Sequence, residues 1–221
     1  MFEVLRLLQT DYSFVRRAAP LRYWNAGVTR PNLAGKRVLV LGAETELGAA
    51  IAAALADAGA RLAVVAGSTA PDAAFAAQRL ARRLSTPERP VIAQAVDATN
   101  EMGVRVMVRQ ASKAMGGLDA VVFSADLGDA SEDAFFLALR WAGAEMFKRS
   151  GGPAIWADIS LAPDDSRAGS AVPAPGAPPT AESRPRPNVT AHLVGAADRP
   201  FDETAGAVIT LIEQAAPSSS E

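Results

Sequence analysis

Cysteine is absent from this sequence of 221 residues, and histidine occurs once, at position 192. Without cysteine the protein has neither a disulfide framework nor a thiolate site. A single histidine also argues against a zinc site built from protein side chains, because such sites use several histidine or cysteine ligands. We therefore predict no metal site and a reducing or indifferent compartment.

An excess of charge of one sign and long apolar runs are also lacking. The net charge is -2, which gives no basic footprint for nucleic acid. No run approaches the roughly 18 apolar residues of a membrane span, and Glu3 and Arg6 interrupt the N-terminus where a signal-peptide core would lie. The apolar content of 49% suffices for one sizeable core. We expect a soluble, cytoplasmic protein without a transmembrane segment or a nucleic-acid partner.

Residues 37–48 have the pattern of a strand, a turn and the start of a helix. An apolar run ends at Gly42, and a helical pattern begins at Glu46. Glycines in such a turn let the backbone approach a diphosphate, which then faces the positive end of the helix. Here Gly42 and Gly48 are present, but Glu44 and Glu46 are carboxylates that would repel a diphosphate. The pattern predicts a Rossmann-type unit whose dinucleotide site is weakened.

Strand and helix patterns alternate along the rest of the chain. Strands are predicted at 37–41, 62–66, 90–96, 118–123, 153–160 and 188–194, and helices at 46–58, 71–84, 100–115, 131–149 and 202–215. Crossovers long enough for helices indicate parallel strands with right-handed connections. We predict an α/β fold, a Rossmann-type doubly wound parallel sheet of about six strands in the order 3-2-1-4-5-6, in a three-layer αβα arrangement.

Four segments follow from this pattern. Residues 1–33 are an N-terminal extension rich in arginine and aromatic residues, for which packing on the domain, docking to a partner and contact with a membrane surface remain open. Residues 34–216 form the Rossmann domain, and residues 217–221 form a tail. Within the domain, residues 163–187 hold seven prolines and no aromatic residue. Because proline disrupts helices, we predict a loop there in place of a helix.

Four motifs occur in a familiar order: Gly42-x-x-x-x-x-Gly48, Val96-Asp97, Gly117-Leu118-Asp119 and Val122-Phe123-Ser124-Ala125. With this order, residues 33–216 resemble the short-chain dehydrogenase/reductase family. The resemblance implies an NAD(P) site formed by Gly42, Glu46, Leu47, Gly48, Asp97, Ala98, Ser124 and Ala125. Within that site Glu46 replaces the middle glycine of the turn, and Asp126 replaces the glycine of the family's Asn-Asn-Ala-Gly. The end of the second strand also carries no acid for the ribose, so the resemblance implies no binding of NAD(P) or only weak binding.

The resemblance also implies a catalytic serine at the end of the fifth strand, which is Ser160 or, in the other register, replaced by Leu161. The family then carries Tyr-x-x-x-Lys about a dozen residues later, where the lysine lowers the pKa of the tyrosine that acts as general acid/base. No tyrosine follows Tyr23 and no lysine follows Lys148. The motif is therefore absent in every register.

Two functions remain open. The first is a catalytically degenerate homologue that acts through binding, as a non-catalytic subunit or a regulatory partner. The second is an NAD(P)-dependent oxidoreductase in which other groups, such as Ser160 with Asp158 or Asp164, supply the acid/base chemistry. We favour the first, because the losses in the cofactor turn and in the catalytic motif coincide.

The predicted helix at 131–149 bears on both functions. It is apolar around much of its circumference, so it needs cover on two sides. In the family this helix joins a dimer contact. We therefore expect a homo- or hetero-oligomer through this helix, with pairing to an active paralogue as one form, while cover by the N-terminal extension is the alternative.

Overall fold

Residues 31–161, 167–170 and 188–215 are described by the structure, a computed structural model. The strands are β1 (Arg37–Leu41), β2 (Arg61–Ala66), β3 (Ile92–Ala95), β4 (Ala120–Phe123), β5 (Gly152–Asp158), β6 (Arg167–Ser170) and β7 (Val189–Gly195). The helices are α1 (Glu46–Asp57), α2 (Pro71–Leu84), α3 (Glu101–Met115), α4 (Ser131–Phe147) and α5 (Phe201–Gln214).

All seven strands form one sheet in the order β3-β2-β1-β4-β5-β7-β6. Six of them are parallel, and their order is the predicted one, since β7 is the sixth predicted strand. Helices α1, α2 and α5 cover one face, and α3 and α4 cover the other. The prediction of a doubly wound Rossmann-type fold is confirmed.

The prediction of a loop throughout residues 163–187 is wrong for four of them. Residues 167–170 form β6, which pairs antiparallel with β7, with Ala168 opposite His192 and Ser170 opposite Thr190. These four residues contain no proline, so every backbone N–H is available for the ladder. The open edge of β7 supplies the partner strand. The other residues of the predicted loop lie outside the described part of the chain.

The boundary of the folded domain lies slightly before the predicted one. The compact unit begins at Pro31. Leu33, which the sequence analysis assigns to the N-terminal extension, is fully buried. Its backbone N–H donates to the carbonyl oxygen of Ala58 at 2.8 Å, which fixes the entry to β1 beside the end of α1. The rest of the predicted extension, residues 1–30, lies outside the described residues.

An ion pair joins the amino ends of the two central strands. Arg37 opens β1, and its Nε donates to Oδ2 of Asp119 at 2.7 Å while its backbone N–H donates to the same oxygen at 2.8 Å. A second guanidinium nitrogen, Nη2, lies 2.5 Å from Oδ1. Burial alone would raise the pKa of Asp119, but the hydrogen bonds and the charge of Arg37 together lower it. The pair therefore stabilises the alignment of β1 with β4.

We expect Asp119→Asn to lower the free energy of unfolding at pH 7 by about 3 kcal/mol, because it leaves Arg37 largely buried without its counter-charge. Since the folded-state pKa of Asp119 is lowered, its contribution is present above the unfolded value of 3.8 and is lost as the pH falls through the folded value. Urea unfolding of both proteins at pH 7 and at acidic pH measures this, and the difference should shrink on acidification.

Glu203→Gln is the matched control, because its partner Arg199 lies 3.8 Å away in an exposed pair. The control should change the free energy of unfolding by less than about 0.5 kcal/mol. Equal effects of the two substitutions, or no dependence of the Asp119→Asn effect on pH, would contradict the role of this pair.

Candidate functional site

The turn between β1 and α1 lies where the strand order reverses, between β1 and β4. Crevices at such switch points are the ligand sites of open α/β sheets. Gly42 has φ +98°, and a Cβ there would collide with the backbone nitrogen of Ala125. A Cβ at Gly48 would collide with the carbonyl oxygen of Gly42 and lie 2.5 Å from Oγ of Ser124. Both glycines are therefore required for the turn to pack against the end of β4.

Thr45 joins three parts of this packing. Its Oγ1 accepts a hydrogen bond from the backbone N–H of Gly48 at 2.9 Å and so caps α1. The same hydroxyl lies 2.9 Å from the carbonyl oxygen of Gly42 and 3.2 Å from that of Ser124, and it shares its proton between them. The sequence analysis did not select Thr45, although a threonine directly before a helical pattern is a capping signal.

Glu46 occupies the place of the middle glycine of the turn and is exposed in the first turn of α1. Leu47, also predicted to bind cofactor, is 2% exposed and packs in the core on the α1 and α5 side of the sheet. Its side chain thus contributes packing, while Glu46 points to the surface at the crevice end of the helix. Of these two side chains, only that of Glu46 is accessible to a ligand.

Glu44 reaches from the turn to the end of β2. Its Oε1 accepts a hydrogen bond from the backbone N–H of Gly67 at 2.8 Å, and its Oε2 is buried with no hydrogen-bond partner in the described part of the chain. Burial raises the pKa of this carboxyl group, against hydrogen bonds from the backbone of Glu44 itself and of Gly67 that lower it. A half-buried carboxyl group thus bridges two strand ends at the crevice.

Gly67 shows how narrow the crevice is. A Cβ added to it would lie 2.7 Å from Cβ of Ala125 and 3.3 Å from Oε1 of Glu44. The carbonyl oxygen of Gly67 accepts a hydrogen bond from the N–H of Ala98 at 3.0 Å. Ala98 and Ala125, both predicted to bind cofactor, therefore lie next to the end of β2. Glu44 contacts the same strand end.

Asp97 is exposed after β3. Its Oδ1 accepts hydrogen bonds from the hydroxyl of Thr99 at 2.6 Å and from the backbone N–H of Thr99 at 3.0 Å. These bonds lower the pKa of Asp97. These bonds also orient the carboxylate within its own loop.

The candidate catalytic groups lie after β5. Ser160 donates from its Oγ to Oδ1 of Asp158 at 2.7 Å, and its backbone N–H donates to the same oxygen at 2.8 Å. Ser160 is exposed, so this pair forms a local turn at the surface. Asp164, the other carboxylate considered with Ser160, lies outside the described residues.

The charged side chains at the crevice do not fit a dinucleotide. A diphosphate at the start of α1 would meet the carboxylate of Glu46, and Glu44 in the same turn adds a second carboxyl group. Asp126, exposed after β4, adds a carboxylate whose Oδ1 accepts from the N–H of Gly128 at 3.3 Å. Anions favour helix N-termini that are not already neutralised, and like charges at close range repel. The cofactor roles assigned to this set of residues stay predictions.

The fold and this turn define a Rossmann-type α/β domain as the class of protein. A family model described as short chain dehydrogenase matches residues 36–143. Over this part, just under half of its length, the chain is similar to the short-chain dehydrogenase/reductase family.

Solved structures of that family are similar in fold. A hydroxysteroid dehydrogenase from Escherichia coli is 24% identical with a TM-score of 0.50, over 59% of this chain and 58% of that chain. A short-chain type dehydrogenase/reductase from Mycobacterium marinum is 28% identical with a TM-score of 0.49, over 58% and 57% of the two chains. A short chain dehydrogenase from Burkholderia cenocepacia, solved in complex with NADP, is 29% identical with a TM-score of 0.47, over 58% and 56%.

This chain spans less than two thirds of the length of each of these structures. No curated protein matches it. Among the helices of the described residues, none is both long and apolar enough to cross a membrane. In the same residues no cluster of three or more histidine or acidic side chains is arranged to hold a metal ion.

We expect Glu44→Gln to raise the free energy of unfolding at pH 7 by roughly 1 kcal/mol, since it keeps the acceptor for Gly67 and removes a charge that burial disfavours. The folded-state pKa of Glu44 is raised above 4.5, so its stabilising form is the protonated one. That stability is fully present below 4.5 and is lost as the pH rises through the folded value. Thermal unfolding of both proteins should be measured at several pH values between about 4 and 8. The melting temperature of Glu44→Gln should exceed that of the wild type at the upper end, and the difference should fade on acidification.

Glu46→Gln is the matched control and should have the opposite sign. Its carboxylate lies exposed in the first turn of α1, where it favours the helix dipole by about 0.3–1 kcal/mol. A stabilising effect of both substitutions, or a gain from Glu44→Gln that is as large at pH 4 as at pH 8, would rule out the burial of an ionised Glu44 as its cause.

Proposed function

We propose that this chain is a non-catalytic member of the short-chain dehydrogenase/reductase family that acts through binding, as a subunit or a regulatory partner. The observation that carries the proposal is that no tyrosine follows Tyr23 and no lysine follows Lys148. The segment between β5 and β7, where the family carries Tyr-x-x-x-Lys, therefore contains neither residue type. Binding of NAD(P) is absent or weak in this proposal, and the cytoplasm is the compartment.

The missing pair removes a chemical step. Hydride transfer to a carbonyl leaves an alkoxide that must be protonated, and a tyrosine with a lowered pKa supplies that proton in the family. Of the candidate replacements, the hydroxyl of Ser160 is far less acidic than a phenol and already donates to Asp158. A carboxylate that accepts a hydrogen bond from a serine hydroxyl does not make that hydroxyl acidic enough to protonate an alkoxide. This supports a protein without the family's reaction.

We expect no cofactor-dependent turnover when the purified chain is assayed with NADH or NADPH on aldehydes and ketones, or with the oxidised cofactors on alcohols. The measurement is absorbance at the nicotinamide band, with an active family member as the positive control. Turnover above background would contradict the proposal.

The contact of 2.7 Å between Ser160 and Asp158 favours a second candidate, an NAD(P)-dependent oxidoreductase with substituted acid/base groups. Its test is Ser160→Ala, with Ser150→Ala, an exposed serine before β5, as the matched control. If turnover is found, is abolished by Ser160→Ala and is unaffected by Ser150→Ala, the second candidate replaces the first. Turnover that survives Ser160→Ala would refute the non-catalytic proposal and also the role of Ser160 in the second candidate.

Helix α4 supplies the binding surface in this proposal. One side of α4 packs on the sheet, and a second side packs on α3 through Arg140 and Glu101 at 2.9 Å and through Ser112 and Glu145 at 3.2 Å. Phe136 and Phe147, eleven residues apart, share the side away from α3, and Phe147 is 43% exposed. Phe136 is half-buried there. We propose that this side contacts a second copy of the chain or an active family member.

Phe136→Ser should weaken self-association at least about tenfold, because aromatic anchors carry much of the energy of such interfaces. Sedimentation velocity at a series of protein concentrations measures the association constant. Phe75→Ser is the control, since Phe75 is 59% exposed on α2, on the other face of the sheet. A wild type that stays monomeric at ~100 μM would contradict self-association and leave only pairing with another family member.

A further inference from the structure

Two carboxyl groups lie where the crevice at the switch point would receive a dinucleotide, one from the turn and one from the start of α1. We propose that Glu44 and Glu46 close this crevice to NAD(P)(H), so that exclusion of the cofactor is built into the turn and is independent of the missing acid/base pair. This inference deepens the proposed function. It rests on that proposal in one respect, namely that the chain acts without a cofactor.

Glu44 closes the crevice from inside. Its hydrogen bond to the N–H of Gly67 uses the backbone donor at the end of β2, where a ribose would lie. Its second oxygen, Oε2, is buried and has no hydrogen-bond partner among the described residues, so a phosphate placed beside it would meet a further acceptor and no donor. Oε1 lies 2.8 Å from the backbone nitrogen of Gly67, so no ligand atom fits between this side chain and the strand end.

Glu46 closes the crevice from the helix end. Its exposed carboxylate lies in the first turn of α1, where the unpaired N–H groups would otherwise attract a diphosphate. A side chain at this position also prevents the close backbone approach that a glycine would allow. Charge and bulk therefore act in the same direction at this position.

The rest of the cradle keeps its shape. Gly42 and Gly48 hold the turn against the end of β4, and Thr45 caps α1 by its bond of 2.9 Å to the N–H of Gly48. None of these contacts uses the side chains of Glu44 or Glu46. Removal of the two side chains should therefore open the site without remodelling the turn.

The test is titration of the full chain with NADH and NADPH, followed by ligand fluorescence and by calorimetry at fixed ionic strength. The wild type should bind neither cofactor below about 1 mM. The variant Glu44→Ser with Glu46→Gly should bind at least about tenfold more tightly, because two negative charges next to the diphosphate are removed. Asp126 is retained in every variant, so its charge is constant across the comparison.

Glu44→Gln with Glu46→Gln is a second, isosteric variant that keeps the packing if the first one unfolds. Glu88→Gln, which removes one exposed charge in the loop before β3, at the amino ends of the strands, is the matched control and should leave binding unchanged. Binding by either double variant supports the inference. Wild-type binding in the micromolar range, or a double variant that has the wild-type melting temperature and still fails to bind, would overturn it.

The outcome is separable from the proposed function. A variant that binds NADPH still lacks the tyrosine and the lysine, so it should bind without turnover. If the wild type binds tightly and is inactive, this inference fails and the non-catalytic role stands. If the wild type binds tightly and turns over a substrate, both fail.

Discussion

The close approach of the β1–α1 turn to the end of β4 is the constraint on which the crevice end of this fold depends. Gly42 and Gly48 are the residues that permit it, because any side chain at either position would collide with the backbone across the turn. Thr45 then joins the helix start, the turn and β4 through one hydroxyl. Packing of the turn against β4 accounts for these three residues without reference to a cofactor.

Position 46 belongs to a different group, because nothing in the packing requires a glycine there. Its side chain lies at the surface, at the start of α1, and a glutamate is accommodated with a gain from the helix dipole. The three positions of one sequence pattern thus separate into two that are fixed by folding and one that only a ligand would constrain. A chain that binds no diphosphate can keep the first two and change the third, which is the arrangement seen here.

Periodicity was sufficient to predict the fold, since every helix and every parallel strand except the partly exposed β3 buries apolar residues that mark it in the sequence. The reach of Glu44 could not be predicted that way, because it depends on where the end of β2 lies, 23 residues further along the chain. Strand β6 has four residues and no apolar pattern, so only the open edge of β7 determines it. Both misses are contacts between distant segments, which local patterns do not encode.

The surroundings of α4 also could not be predicted from its local sequence pattern. Its composition predicts cover on two sides, and α3 supplies one of them with polar contacts, including Arg105 stacked 4.8 Å from the ring of Trp141. Gly143 faces β7 on the other side, where a Cβ would lie 3.5 Å from Val189. In the family, the segment after β5 provides both the catalytic pair and a neighbouring dimer helix. In the proposed function, the proline-rich segment of this chain would therefore alter catalysis and the binding surface together, since one helix serves both in the family.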